Sequence, residues 1–291
     1  MEPDTVSIDR SEKVAFRSPP HACDSHFHVF GPAEQYSYEA ALRYKPPLAP
    51  LEDYLELARH LGIERYVLVQ PSAYGRDNAC MLNAMRALGP EKCRGIVDID
   101  ENVPDSELAR LHAVGVRGVR INVSPVEPFQ PGFSAAMLAR IRKLDARCAE
   151  LGWCLDYLGP GWLTSELMDC FRSLRSHYSV AHMGMYPASG GASQQGFQAL
   201  LDLARNGNGR CWIKLTGIYR MSRADDYADA EPMARAIIAA APNRIIWGSD
   251  YPHLSFEHVS SVQLFNLLGE WGDEKARKAI LVDNPKELFG F

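Results

Sequence analysis

The sequence predicts an α/β protein that folds as one (β/α)8 barrel, the TIM-barrel architecture. Two observations support this prediction. Eight short apolar runs each precede a segment with helical periodicity, and no linker or low-complexity segment interrupts the series. Strands that alternate with helices pair in parallel through right-handed crossovers. Eight such units in 291 residues match the length of a closed barrel, which we expect over residues 20–291.

The alternation is regular along this part of the chain. The predicted strands lie at 22–30, 65–72, 94–100, 115–123, 153–159, 178–184, 211–219 and 244–252. The predicted helices lie at 52–62, 78–88, 105–113, 134–151, 163–176, 194–205 and 228–240, with a helical tail from about 258. A doubly wound open sheet is the alternative. Against it, neither G-x-G-x-x-G nor G-x-x-x-x-G-K-[ST] follows the first predicted strand.

Two segments fall outside this alternation. Residues 1–19 are charged and carry no apolar signal-peptide core, and we expect them to form a loose arm. Residues 30–50, rich in Pro and Tyr, form a long loop after the first strand. Long loops in compact domains often carry function.

Composition narrows the possible functions. The net charge of −5 argues against a nucleic-acid-binding protein, because no excess of Lys and Arg offsets phosphate. No stretch approaches the about 20 apolar residues of a membrane span, so we expect no membrane partner. The seven cysteines are scattered without a C-x-x-C pair, which indicates reduced thiols in a cytoplasmic protein. The oligomeric state cannot be deduced from these features.

The run "HACDSHFHVF" places His26 and His28 two residues apart. In an extended strand both imidazoles would point the same way, and Asp24 would join them. Such a pair could bind a metal, bind an anionic group or sit satisfied in the core. A lone H-x-H does not decide among these. Two further residues at strand ends, His182 and Asp250, make the functional interpretation the stronger one.

Other strand ends carry further polar residues. Each of them could have a structural role instead of lining the pocket. Arg120 lies nearer the end of its strand than Arg117, so we expect Arg120 in the pocket. Asp156 and Tyr157 are adjacent, so only one can point inward, and we expect Tyr157 to do so. The roles of Lys214, inside the seventh strand, and of His253 stay open.

Several motifs resemble the amidohydrolase superfamily, and within it the branch of 2-pyrone-4,6-dicarboxylate hydrolases and related lactonases. They are "CDSHFHVFGP", "VLVQPSAYGRDN", "GVRGVRINV", "VAHMG", "IIWGSDYPH" and the ending "NPKELFGF". The resemblance runs from about residue 20 to the last residue. It implies an enzyme that hydrolyses the ring ester of a small carboxylated lactone in the catabolism of aromatic compounds.

The resemblance also implies roles for individual residues. Asp250 would activate water, and His26, His28 and His182 would polarise or hold the lactone carbonyl. The residues that match substrate-binding positions of the family are Tyr44, Ser72, Arg120, Tyr157 and Arg220. Guanidinium groups suit this task because their planar fork matches a carboxylate bidentately.

The resemblance leaves the metal requirement open. The fourth strand ends without a lysine that could form a bridging carbamate, and the fifth ends near Tyr157 where many relatives have a histidine ligand. We therefore expect that no cofactor is required. The alternative is one divalent ion, Zn or Mn, held by His26, His28, His182 and Asp250. Rival functions are a metal-dependent sugar-lactone hydrolase or isomerase, a decarboxylase on the same barrel, and a non-catalytic binding protein.

Overall fold

The computed structural model describes residues 11–40, 42, 44–123, 133–256 and 258–291. These residues contain eight short strands, in which β-branched and aromatic side chains are frequent. The strands are β1 Cys23–Phe27, β2 Arg65–Val69, β3 Cys93–Val97, β4 Val116–Asn122, β5 Cys154–Leu158, β6 His177–Val180, β7 Cys211–Leu215 and β8 Ile245–Trp247. Each lies within, or within one residue of, a predicted strand.

The strands form one sheet in the order β1 to β8, and every neighbouring pair is parallel. Backbone hydrogen bonds then join the chain after β8 to the end of β1. The N–H of Asp250 donates to the carbonyl of His26 at 2.8 Å, and the N–H of His28 donates to the carbonyl of Tyr251 at 2.9 Å. The predicted (β/α)8 barrel is confirmed, and the open doubly wound sheet is wrong.

Helices surround the barrel, and most of them bury residues against it. They are α1 Leu51–Leu61, α2 Ala79–Leu88, α3 Asp105–Ala113, α4 Phe133–Leu151, α5 Gly161–Glu166, α6 Met168–Ser173, α7 Gln195–Asn206, α8 Glu231–Ala240, α9 Ser261–Trp271, α10 Glu274–Lys278 and α11 Asn284–Phe289. In α1 the buried Tyr54, Leu57, Ala58 and Leu61 recur at helical spacing. Gly62 ends α1 with a φ of 72°, a conformation that glycine adopts without strain. No helix in the described ranges is long and apolar enough to cross a membrane.

The barrel interior is divided between an apolar lower part and a polar upper part. In the lower part Val67, Ile96, Trp212 and Ile246 pack together, and Phe289 of α11 covers them from below. The polar side chains lie toward the carboxyl ends of the strands. Burial of so many polar groups is unfavourable unless they are paired, so their concentration at one end indicates a site.

Residues 11–19 do not form a loose arm, and that part of the prediction is wrong. Phe16 stacks on Phe265 of α9 with ring centroids 4.6 Å apart. The side-chain amide of Asn266 accepts from the backbone N–H of Ala15 and donates to the carbonyl of Lys13. An aromatic contact and paired backbone groups therefore fix this segment on α9, which its charged composition did not reveal. Residues 1–10 lie outside the described part of the chain.

Candidate active site

A cavity of about 220 Å³ opens at the carboxyl ends of the strands. It is bordered by polar side chains from several loops and strand ends, with a few apolar ones between them. The lining residues are His28, Tyr44, Pro71, Ser72, Arg120, Asn122, Leu158, His182, Arg220, Asp250, Leu254 and Ser255. Seven of the nine residues predicted for the site lie on this wall, and His26 lies directly behind it.

Asp250 is at the centre of the histidine cluster. Its Oδ1 lies 3.4 Å from Nε2 of His26 and 3.4 Å from Nε2 of His28, and its Oδ2 lies 3.6 Å from Nε2 of His182. All four side chains are buried. Asp250 has a φ of 57°, a left-handed conformation held by its hydrogen bond to the backbone of His26. Backbone strain of this kind is often found where a side chain must be held in one orientation for function.

An irregularity in β1 brings both histidines to the interior. The pairing register between β1 and β2 shifts between Asp24 and Phe27. Asp24 consequently leaves the cluster. Its carboxylate accepts from the hydroxyl of Tyr54 and from the backbone N–H groups of His26 and Ser249. The expectation that Asp24 would share a side with His26 and His28 was wrong, because it assumed an unbroken strand.

The groups around Asp250 keep its carboxylate ionised although it is buried. Desolvation opposes its ionisation, but His182, Arg220 and the contacts with His26 and His28 hold its pKa well below the ordinary carboxyl value. The hydroxyl of Tyr219 donates to Oδ2 at 2.6 Å, and Nε of Arg220 donates to the same oxygen at 3.3 Å. Oδ2 is therefore well supplied with donors. The other oxygen, Oδ1, faces His26 and His28.

The three histidines are neutral at neutral pH. Burial lowers the pKa of His26 and His28, and lowers that of His182 to about 3, because an imidazolium would lose its hydration. Each ring contacts a different group through Nδ1. His28 meets the carbonyl of Val69 at 2.7 Å, and His182 meets the hydroxyl of Thr216 at 2.7 Å.

The partner of His26 Nδ1 is the ammonium group of Lys214, at 3.1 Å. Lys214 is completely buried and pairs with Asp156, with 2.6 Å between Nζ and Oδ1. Burial opposes the ionisation of Asp156, but Lys214 holds the pKa of that carboxyl below its ordinary value. The sequence alone does not assign a role to Lys214. A lysine in the middle of a buried strand, with a carboxylate two strands away, was the available signal.

The two predicted arginines have different surroundings. Arg120 is 3% exposed, and one Nη donates to the carbonyl of Gln70. Its Nε has no hydrogen-bond partner, and no carboxylate of the described residues lies within 4 Å of it. Arg220 instead pairs with Asp250 and lies over the ring of Phe256. Arg120 therefore faces the cavity as a buried cation with no ion-pair partner among the described residues.

Tyr44 and Ser72 meet on the cavity wall, with 3.1 Å between their hydroxyl oxygens. Tyr157 does not join them, and its predicted inward orientation is wrong. Its ring packs against Phe171 of α6 at a centroid distance of 5.1 Å, on the outer face of β5. The adjacent Asp156 points into the barrel. Both faces of β5 are buried, so hydrophobicity alone could not show which of these two residues points into the barrel.

His253 and Tyr219 complete the surroundings of Asp250. Nε2 of His253 lies 3.2 Å from the carbonyl of Ser249 and 3.2 Å from the hydroxyl of Ser261, which ties the loop after β8 to α9. Burial lowers the pKa of His253 to about 4. Tyr219 was not among the residues predicted for the site. Its position next to Arg220 was the one signal of its contact with Asp250.

Three side chains of the site have a spacing that suits a metal ion, but the surroundings of His26 do not. Nitrogen or oxygen atoms of His26, His182 and Asp250 lie within 4.8 Å of one another, a spacing that one ion could span. A metal-bound histidine, however, normally donates its second N–H to a carbonyl or carboxylate. The second nitrogen of His26 faces Lys214, whose ammonium group cannot accept a hydrogen bond. The residues as arranged therefore do not fit a metal bound through His26.

Fold and site together define a (β/α)8-barrel enzyme with a small polar pocket at the carboxyl ends of its strands. The chain belongs to the Amidohydrolase family, whose model matches residues 23–291. This confirms the resemblance that the sequence motifs indicated.

Individual relatives share most of the length of the chain. It is 36% identical to a 4-sulfomuconolactone hydrolase of Rhizobium radiobacter, over 97% of this chain and 94% of that protein. It is 31% identical to a 2-pyrone-4,6-dicarboxylate hydrolase of Comamonas testosteroni, over 95% and 92%. A crystal structure named as a probable 2-pyrone-4,6-dicarboxylic acid hydrolase of Acinetobacter baumannii, with citric acid bound, superposes with a TM-score of 0.80 at 26% identity, over 93% of this chain and 100% of that one.

Proposed function

We propose that this protein is a lactonase that opens the ring ester of a small anionic lactone in the catabolism of aromatic compounds. The observation that carries the proposal is Asp250, an ionised carboxylate surrounded by three neutral histidines at the edge of the cavity. The relatives named as 4-sulfomuconolactone hydrolase and 2-pyrone-4,6-dicarboxylate hydrolase support the substrate class. All seven cysteines are free and buried, as suits a reducing cytoplasm.

Hydrolysis of a lactone requires a base and stabilisation of an oxyanion. Asp250 takes a proton from a water molecule as the water oxygen bonds to the lactone carbonyl carbon. The carbonyl oxygen gains the negative charge and accepts hydrogen bonds from donors on the cavity wall. The ring C–O bond then breaks, and the leaving oxygen receives the proton from Asp250. The product is an acid that also carries the released hydroxyl or enol group, and Asp250 is ionised again.

The arginines support an anionic substrate. Arg220 is already balanced by Asp250, whereas Arg120 has no described carboxylate as a partner. Burial of an unpaired guanidinium is unfavourable, and an anion in the cavity would compensate for it. Tyr44 and Ser72 lie on the same wall and offer hydroxyl groups to that anion. One anionic group on the substrate is therefore the minimum, and a second would be placed near Arg220.

We also propose that catalysis needs no metal ion. Lys214 occupies the position behind His26 where a metal site would place an acceptor. The three neutral histidines and Asp250 provide donors, acceptors and a base without one. No step of the reaction above passes through an ion.

Product identification tests the proposed function. The purified protein is incubated in ¹⁸O-water with 2-pyrone-4,6-dicarboxylate, with 4-sulfomuconolactone and with an uncharged lactone. We expect ring opening of one or both anionic lactones, with one ¹⁸O atom in the new carboxylate, and little turnover of the uncharged one. An isomerised lactone or released carbon dioxide would overturn the proposal in favour of the rival reactions. Absence of turnover with all three compounds would also count against it.

A further inference from the structure

Lys214 makes three polar contacts and is enclosed in the barrel. Its Nζ lies 2.6 Å from Oδ1 of Asp156, 3.1 Å from Nδ1 of His26 and 3.3 Å from the carbonyl of Ser25. An ammonium group has three hydrogens and no lone pair, so it can only donate. The three neighbours match its three donors. Each of them, including Nδ1 of His26, must therefore accept.

We propose that Lys214 is a positioning residue that fixes the tautomer of His26, with the imidazole proton on Nε2. That nitrogen is buried and lies 3.4 Å from Oδ1 of Asp250, with no other hydrogen-bond partner. A proton there directs a donor at the carboxylate. In the other tautomer Nε2 would direct no donor at the carboxylate, and Nδ1–H would point at the ammonium group of Lys214, which cannot accept.

His28 has the opposite tautomer. Its Nδ1 lies 2.7 Å from the carbonyl of Val69, which can only accept, so Nδ1 carries the proton. Nε2 of His28 therefore presents a lone pair beside Oδ1 of Asp250, and His28 lines the cavity. His26 and His28 are a donor and an acceptor around one carboxylate oxygen. They are not two equivalent groups that polarise a carbonyl.

This arrangement orients the attacking water in the proposed reaction. A water molecule beside Oδ1 can give one hydrogen to Asp250 and the other to Nε2 of His28, which leaves an oxygen lone pair free for the carbonyl carbon. His26 donates to the carboxylate and holds it in place. Asp156 pairs with Lys214 and holds its side chain in place beside His26. The part of the inference that concerns reaction rate rests on the proposed function, whereas the tautomer assignment does not.

The tautomer is measured directly by ¹⁵N–¹H correlation NMR on protein labelled in the histidine rings. A His26→Gln variant assigns the resonance that disappears. For the unmodified protein we expect a protonated Nε2 and an unprotonated Nδ1 at His26, and the reverse at His28. A protonated Nδ1 at His26 would overturn the proposal, whatever the protein turns over. Loss of lactone turnover with the expected tautomers would overturn the proposed function alone.

A variant of Lys214 then tests whether this residue fixes the tautomer of His26. In Lys214→Gln the amide NH₂ can donate to Asp156, and the amide oxygen can accept from Nδ1–H of His26. We expect His26 to change tautomer, with kcat reduced about 10- to 100-fold, as for a small misplacement of reacting groups, and KM altered less. Cys154→Ala is the matched control, since Cys154 is buried in the same interior and makes no contact with His26. It should keep the tautomer and the rate. An unchanged His26 tautomer in a folded Lys214→Gln protein would contradict the proposal, and should the variant not fold, the spectrum of the unmodified protein still decides.

Discussion

Replacement of Arg120 by Met should impair the reaction with an anionic substrate without lowering the stability of the protein. The guanidinium is 3% exposed, and its Nε has no hydrogen-bond partner in the part of the chain that the structure describes. Met preserves much of the side-chain length but removes the charge. A hydrogen bond to a charged group contributes about 1.5–3 kcal/mol, so kcat/KM for a dianionic lactone should fall about 10- to 150-fold. The free energy of unfolding should stay the same or rise by about 1 kcal/mol, because a buried charge without a partner is removed.

Steady-state kinetics with a dianionic lactone and its neutral diester measures the first effect, and urea unfolding measures the second. Arg117→Met is the matched control. Arg117 lies three residues earlier on β4 and donates to the carbonyls of His112 and Val116, away from the cavity. We expect it to leave kcat/KM unchanged. Equal losses of kcat/KM for the dianion and the diester in Arg120→Met would refute the reasoning, because a structural arginine would affect both substrates alike.

Three further predictions follow from the same contacts. Activity should survive exhaustive dialysis against a strong chelator; stoichiometric zinc or manganese whose removal abolishes turnover and whose return restores it would reverse the metal-free proposal. The melting temperature should fall on acidification from about pH 7 to about pH 5, on the order of several degrees. The reason is that folded His182 and His253, with pKa values of about 3 and about 4, stay neutral while the unfolded histidines bind protons near 6.5. His182→Asn should reduce this slope, and an unchanged slope would show that the buried histidine does not cause it. Arg220→Met should lower kcat more than Arg120→Met does, since Arg220 also donates to Asp250; a change confined to KM would contradict that contact's role.

The barrel could be predicted from the sequence because local pattern and global fold agree. Most strands contain a compact apolar run, and the longer helices have a clear buried stripe, as in α1. The strand ends could then be aligned by topology alone. This explains why His28, His182 and Asp250 could be grouped although more than 200 residues separate the first from the last.

The errors occurred where side-chain direction depends on three-dimensional context. Asp156 and Tyr157 both lie on a strand with two buried faces, so polarity favoured neither direction. Asp156 points inward because Lys214 is there to pair with it. Asp24 turns away because the register of β1 is irregular, and no feature of one sequence marks such an irregularity. The segment around Phe16 is held by one aromatic stacking contact and by backbone hydrogen bonds to Asn266, and its charged composition indicates neither.

Asp250→Asn tests the central claim most directly. The amide has nearly the same shape as the carboxylate but cannot take a proton from water. With the lactone that the unmodified protein opens fastest, kcat for Asp250→Asn should fall by a factor on the order of 10²–10⁴, the usual contribution of a general base. The Kd for that lactone, measured by calorimetry, should change little, because Arg120, Tyr44 and Ser72 remain in place. Turnover at the unmodified rate by Asp250→Asn would contradict the account and would place the base elsewhere.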